Sequence, residues 1–350
     1  MSDPVLAVRD GGLQTTIQDA GRPDLGHLGV PQSGAADPWS LAIANLLAGN
    51  DPGEAALEMF LVGPTLIANS PVTIGLAGAD LGARIEGGRR LLPGRSHRLG
   101  AGEILTFGTD SDASAMVPGA RGYLAIAGGI DVPLVLGSRS TCLAGGFGGL
   151  AGRAVDAGDR LASRVVDGAA GTRSALARPE LVWPEVDAAA GSRPGQPTTL
   201  RVLAAFAGEA GDEEALSARA ALVERDWRVG SAADRVGVRL DGDPLPAGIG
   251  AETTTHGVPW GAIQVPPDGR PIVLGADHQA TGGYRVAGVV ISADLALIGQ
   301  LRPGAPVRLA ATDRTAALAA LREHRDALIA GAAALRDAGH WGALIDAAGS

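Results

Sequence analysis

Apolar residues in this chain come in short runs. Thr65 to Ala68, Val72 to Ala77, Ile104 to Phe107, Tyr123 to Ala127, Leu200 to Ala204, Ile272 to Leu274 and Val289 to Ser292 all read as strands. Glycine or proline separates such runs at intervals of roughly 8 to 15 residues, the spacing expected of sandwiches and barrels. Gly102, Gly158 and Gly304 each stand just before a strand-like run, a faint trace of internal duplication. Helical patterning is confined to two places. Asp37 is suited to cap a helix and Pro38 to open its first turn; Trp39 to Leu47 then carries apolar residues at helical spacing until Gly49. A second helix is predicted from Thr315 to about Ala338, with Leu318, Leu321, Leu328 and Leu335 on one face and Arg322, Glu323, Arg325 and Asp326 on the other. The stretch from Asp167 to Thr199, rich in alanine, proline and arginine, reads as an interdomain connection with a short helix. The expected organisation is a first β domain over residues 1–175, a connection over 176–199, a second β domain over 200–312 and a terminal helix over 313–340.

Composition narrows the chemistry. The 350 residues include 53 glycines and 22 prolines, and 46% are apolar, which describes a turn-rich globular chain long enough for two domains. A net charge of -9 and an aromatic content of 3% argue against nucleic-acid and anionic-membrane partners. All 29 basic residues are arginine. Without lysine there is no P-loop amine, no Schiff base and no residue to carry biotin, so no cofactor is attached covalently through an amine. Cys142 is the single cysteine, which leaves no intrachain disulfide. The first residues lack the pattern of a secretory leader, and a cytoplasmic location is expected.

Three clusters carry candidate chemistry. The first holds Gln18, Asp19, Arg22, His27, Ser33 and Asp37 in a glycine- and proline-rich loop before the first helix, where arginine and serine can bind an anion. Asp37 also reads as a helix cap, and Asp19 with Arg22 as an ion pair that ties the loop. In the second, Gly137 to Thr141 precedes Gly145-Gly-Phe-Gly-Gly149, so Arg139, Thr141 and their neighbours can bracket a carboxylate or phosphoryl oxygen; a tight loop at a barrel corner is the alternative. The third runs from Gly248 to Tyr284 and is joined by Arg235. Glu252, Asp268 and Asp277 are candidates for acid, base or magnesium ligand, and His256 and His278 for moving a proton near neutral pH. Gln264, Gln279, Thr281 and Tyr284 add groups able to contact a substrate. Solvated surface hairpins are the alternative.

Several blocks resemble one family. GAIQVPPDGRPIVLGADHQATGGY, GGLQTTIQDAGRPDLGHLGVPQSGAADPWSLAIANLLAGN, GGIDVPLVLGSRSTCLAGGFGGLAGRAV and WRVGSAADRVGVRLDG are similar to the biotin-dependent carboxyltransferase-like family. It includes the C subunit of bacterial 5-oxoprolinase and one half of the carboxyltransferase region of urea amidolyase. Where many relatives read ADRQTTGGYP, this chain has ADHQATGGYR, with His278 and Ala280 in place of arginine and threonine. The resemblance implies an all-β fold with few helices, built from two cyclophilin-like barrels and a C-terminal helix. It implies a subunit of an ATP-dependent cyclic-amide hydrolase that opens 5-oxoproline to glutamate beside subunits A and B, with ATP and Mg acting at the level of the complex. Phosphorylating the lactam oxygen would create a leaving group for water, which calls for cations around phosphoryl oxygens and carboxylates on the metal. Arg22, Arg139 and Arg235 are then the anion contacts, and Asp268, Asp277 and Glu252 the metal or base candidates. Two further readings follow from the family: transfer of carboxyl from carboxybiotin on a partner to a urea-like or amide acceptor, and a non-enzymatic module that binds a regulator of a kinase.

Overall fold

Alternation of buried and exposed positions in Pro4–Asp10, which puts Leu6 and Val8 inward, marks the first strand of a chain that is mostly β. A computed structural model describes residues 3–108, 118–164, 182–183, 196–204, 217, 220–246 and 252–348, with the side chains of 252, 253 and 338–348 excepted. The short helix expected within 167–199 lies outside the described residues. The chain forms two units: Met1–Gly21 with Pro38–Ala188 and Asp326–Ser350, and Arg22–Asp37 with Ala189–Arg325.

The first unit contains strands β1 (Pro4–Asp10), β2 (Thr15–Gln18), β3 (Ala56–Phe60), β4 (Thr65–Ala68), β5 (Val72–Gly78), β6 (Arg84–Ile85), β7 (Arg95–Leu99), β8 (Ile104–Thr106), β9 (Arg121–Ile126) and β10 (Arg160–Ala162). They make two five-stranded sheets, β10-β1-β4-β8-β6 and β2-β3-β9-β5-β7, with one core that draws Leu6, Leu66 and Leu105 from the first and Ile17, Leu57, Ile74 and Leu124 from the second. Helix α1 (Pro38–Ala48) lies on β5 so closely that a Cβ at Gly75 would strike the carbonyl of Ala44. Both faces of β9 are therefore covered, and all its residues are buried.

The second unit contains β11 (Thr198–Ala204), β12 (Asp226–Val229), β13 (Gly237–Asp241), β14 (Glu252–Gly257), β15 (Ala262–Val265), β16 (Ile272–Leu274), β17 (Thr281–Val290), β18 (Pro306–Ala311) and the short helix α2 (Leu295–Gln300). Its sheet runs β11-β18-β12-β13-β16-β15-β17, and a β11–β17 pairing closes these seven strands into a barrel, with β14 added outside on β17. The interior is filled by Leu200, Val202, Trp227, Leu240, Ile263, Val265, Val273 and Leu309. The long β17 serves three partners in turn: Thr281, Gly282 and Tyr284 face β14, Arg285 to Val289 face β15, and Gly288 to Val290 face β11. A bulge between Ile263 and Gln264 accommodates the bend. Arg201 braces the barrel by donating through its Nε and Nη2 to the buried Asp294 at 3.0 and 2.6 Å.

Gly102, Gly158 and Gly304 adopt φ of +84°, +90° and +79°, so the turns expected before β8, β10 and β18 are glycine turns. The last helix, α3 (Arg314–Ala348), runs farther than the expected end near Ala338. No proline interrupts it, and Gly331 sits inside it because Trp183 occupies the space a side chain would need. The leucine stripe is also corrected: Leu335 is buried, whereas Leu318 is 41% exposed, and the first turns pack through Ala317 and Ala320 against Leu203, Ile291 and Ala293.

Candidate functional site

The segment Gly275 to Gly282, which joins β16 to β17 and includes the first two residues of β17, is held in place from three sides. The backbone N–H groups of Gly275 and Asp277 donate to the carbonyls of Val236 and Arg235, both at 2.9 Å, and a Cβ at Gly275 would collide with the Arg235 carbonyl. Glycine at that position is therefore a packing requirement. From the loop Arg22–Asp37, Ser33 N–H donates to the Ala276 carbonyl at 3.0 Å. From the end of β14, Val258 N–H donates to the Ala280 carbonyl at 3.0 Å.

Arg235 and Asp277 form an ion pair inside this framework. Arg235 Nε and Nη2 donate to Asp277 Oδ2 and Oδ1 at 2.7 and 3.0 Å, and Nη2 also reaches the Gly34 carbonyl at 2.6 Å. The pair clamps loop, turn and segment together, and both carboxylate oxygens are engaged. Asp277, expected as acid, base or metal ligand, is committed to Arg235 instead.

His278 follows with 7% of its surface exposed. Its Nδ1 lies 2.7 Å from the Gln279 carbonyl, which accepts only, so Nδ1 carries the hydrogen and Nε2 the lone pair of the neutral ring. Burial holds the imidazole pKa below its ordinary value, against the opposing effects of the Gln279 carbonyl and the Asp277 charge. Gln264 extends from β15 along β17 into the space left by the absent side chain of Gly282; the residue is 2% exposed and its Nε2 has no hydrogen-bond partner. Ser33 adopts φ of +53°, is 1% exposed, and its Oγ also lacks a partner. Buried polar ends without partners are uncommon and point to a ligand or water.

In the first unit the Ser138 to Thr141 turn does bracket a carboxylate, and it is the protein's own. Asp19 Oδ1 accepts from Ser138 Oγ at 2.6 Å and Ser140 Oγ at 2.5 Å, while Oδ2 accepts from Arg139 N–H at 2.6 Å. Thr141 Oγ1 donates to the Ile17 carbonyl at 3.0 Å, and Arg139 Nε to that of Val132 at 3.0 Å. The anion subsite expected there is filled from within the chain.

Comparison with known proteins settles the family. A family model described as carboxyltransferase domain, subdomain A and B, matches residues 28–311. The chain belongs to this carboxyltransferase A/B family. The C subunit of 5-oxoprolinase from Escherichia coli (strain K12) is 34% identical over 321 residues, covering 92% of this chain and 96% of that relative. The crystal structure of TTHA0988 superposes with a TM-score of 0.73 at 37% identity over 89% of this chain, which spans 56% of that chain's length. The urea amidolyase of K. lactis superposes with a TM-score of 0.78 at 26% identity over 94% of this chain, which spans 20% of that enzyme.

Within this family member, the remaining expected site residues fall in different settings. Arg22 is buried, its N–H bonded to the Gln32 carbonyl at 2.8 Å. Asp37 Oδ2 accepts from Gln300 Nε2 at 2.7 Å. Asp268 is exposed in the β15–β16 turn and accepts the Arg270 N–H at 3.1 Å. His256 is exposed, with Nδ1 3.0 Å from the Thr254 carbonyl, although its backbone is paired with Gly282 across β14 and β17. Gln279, Thr281 and Tyr284 are exposed, and the Glu252 side chain lies outside the described residues, its backbone opposite Tyr284. Asp19 as the occupant of the serine turn was missed, since 119 residues separate it from Ser138. Among the described residues no cluster of three His, Cys, Asp or Glu is arranged to hold a metal, and no helix is long and apolar enough to cross a membrane.

Proposed function

We propose that this chain is the C subunit of a heteromeric ATP-dependent 5-oxoprolinase, which opens 5-oxoproline to glutamate beside subunits A and B. The observation that carries the reading is the alignment to the C subunit of a known 5-oxoprolinase over nearly the whole of both chains. The chemistry along Ala276–Gly282 is consistent with an amide substrate: Ser33 Oγ and Gln264 Nε2 are neutral ends without partners, and His278 Nε2 carries the lone pair of a neutral ring. It does not fit ATP with Mg. The chain has no lysine, and Arg235 and Asp277 neutralise each other. We assign the nucleotide and its metal to the companion subunits, and no step of ATP chemistry to residues of this chain. The test is reconstitution: the three subunits together, and no pair of them, are expected to release glutamate from 5-oxoproline with matching ATP cleavage. Release by subunits A and B alone at the full rate would remove this chain from the reaction.

A second reading, transfer of carboxyl from a carboxybiotin carried by a partner, is favoured by the family description and by the likeness to urea amidolyase. It predicts a carboxylated urea-like or amide product when a biotinylated carrier is supplied, with no glutamate formed.

A further inference from the structure

Two buried polar ends without partners and one imidazole lone pair are distributed along the seven residues from Ala276 to Gly282. Ser33 Oγ belongs to the residue bonded to Ala276, His278 Nε2 stands two residues on, and Gln264 Nε2 lies over Gly282. Gln264 Nε2 donates, Ser33 Oγ can donate or accept, and His278 Nε2 accepts. The carboxylate of the segment, Asp277, is taken by Arg235. His278 Nε2 makes no hydrogen bond to any described residue, and the Gln279 carbonyl fixes the tautomer that leaves the lone pair on Nε2. Arginine at such a position would only donate.

An amide inside a small ring is held cis, so its N–H and C=O project from the same edge. That edge requires one acceptor beside one or two donors. We infer that the Ala276–Gly282 segment receives the amide edge of a small lactam, with His278 Nε2 accepting its N–H and Gln264 Nε2 and Ser33 Oγ donating to its oxygen. The choice of a lactam rests on the oxoprolinase reading. Gln264 and Ser33 are already withdrawn from water, so bonding to a ligand costs them no further desolvation, while leaving them unpaired is unfavourable. Burial keeps the imidazole neutral near pH 7, and the one charge that acts on it among the described residues, Asp277, is paired with Arg235.

The test is calorimetric binding to the full chain, alone and assembled with its companions, of 5-oxoproline, N-methyl-5-oxoproline and the ureido ring 2-imidazolidone. N-methylation removes the hydrogen that His278 reads, so about tenfold or greater weakening is expected for the methylated lactam. His278→Ala and His278→Arg are expected to erase this preference, whereas His278→Gln, whose amide oxygen accepts at similar reach, retains part of it. Gln264→Leu weakens both lactams and leaves their ratio intact. Wild-type affinity holds where His278 is neutral, above its ordinary value of 6.5, and falls at lower pH as the ring takes a proton, and the His278→Gln profile lacks that fall. Equal binding of the two lactams by the unmodified protein, a preference that survives His278→Ala, or no binding of either lactam would overturn the inference. Preference for the ureido ring with the same dependence on His278 upholds the acceptor and sinks the oxoproline reading. Failure to release glutamate while the N–H preference persists sinks only that reading.

Discussion

Arg235 and Asp277 face each other through two parallel hydrogen bonds of 2.7 and 3.0 Å, with their side chains 3% and 1% exposed. Removing either partner strands a buried charge. Arg235→Met and Asp277→Leu are each expected to cost about 3–5 kcal/mol in urea unfolding, and the double substitution less than the sum. Additive costs would show that the two side chains do not depend on each other.

Asp19 accepts four hydrogen bonds, from Ser138 Oγ, Ser140 Oγ and the N–H groups of Gly21 and Arg139. Asp19→Asn exchanges one acceptor oxygen for a donor aimed at other donors. A loss of about 1.5–3 kcal/mol is expected, rising in Asp19→Ala, which leaves the turn's donors unpaired. Chemical denaturation checks both, and Ser138→Ala combined with Ser140→Ala should make the Asp19 substitutions less than additive.

His278 gives stability a pH dependence of definite sign. Its folded pKa lies below the ordinary value of 6.5, so the unfolded chain takes up the proton first. Above 6.5 both states are neutral and the residue contributes nothing. As pH falls from there toward the folded pKa, stability declines, and the penalty is complete below it. His278→Gln removes this component, and unfolding midpoints measured between about pH 7 and 5 should then decline less steeply than in the parent chain.

Gly331 offers a change whose sign departs from propensity. Alanine in a helix interior is ordinarily better than glycine by about 1 kcal/mol. Here a Cβ would enter the indole ring of Trp183, so Gly331→Ala is expected to lower the melting temperature. Trp183→Leu should restore the usual advantage of alanine.

Strand placement was legible because glycine and proline punctuate it: Thr65–Ala68 and Ile272–Leu274 were read with the bounds they have in the fold. The mixture of polar types in the Gly275–Gly282 segment marked it as a candidate in the sequence. Which of its residues are spent on structure was not. Asp277 and Asp268 look alike in sequence, yet one meets Arg235 across 42 residues and the other caps a local turn. The leucine stripe misled for a related reason. Small alanines at Ala317 and Ala320 allow close approach, so the burial expected of Leu318 fell to them. Long-range partners of this kind leave no periodic signal.

The Arg22–Asp37 loop belongs to the unit whose remaining residues begin at Ala189. A gene fragment started at Ala189 would omit the carbonyl of Gly34 that receives Arg235 and the amide of Ser33 that steadies Ala276. Severing the protein at its apparent midpoint therefore does not yield two complete halves, and the second half would need residues 22–37 added back as a peptide or a fused extension.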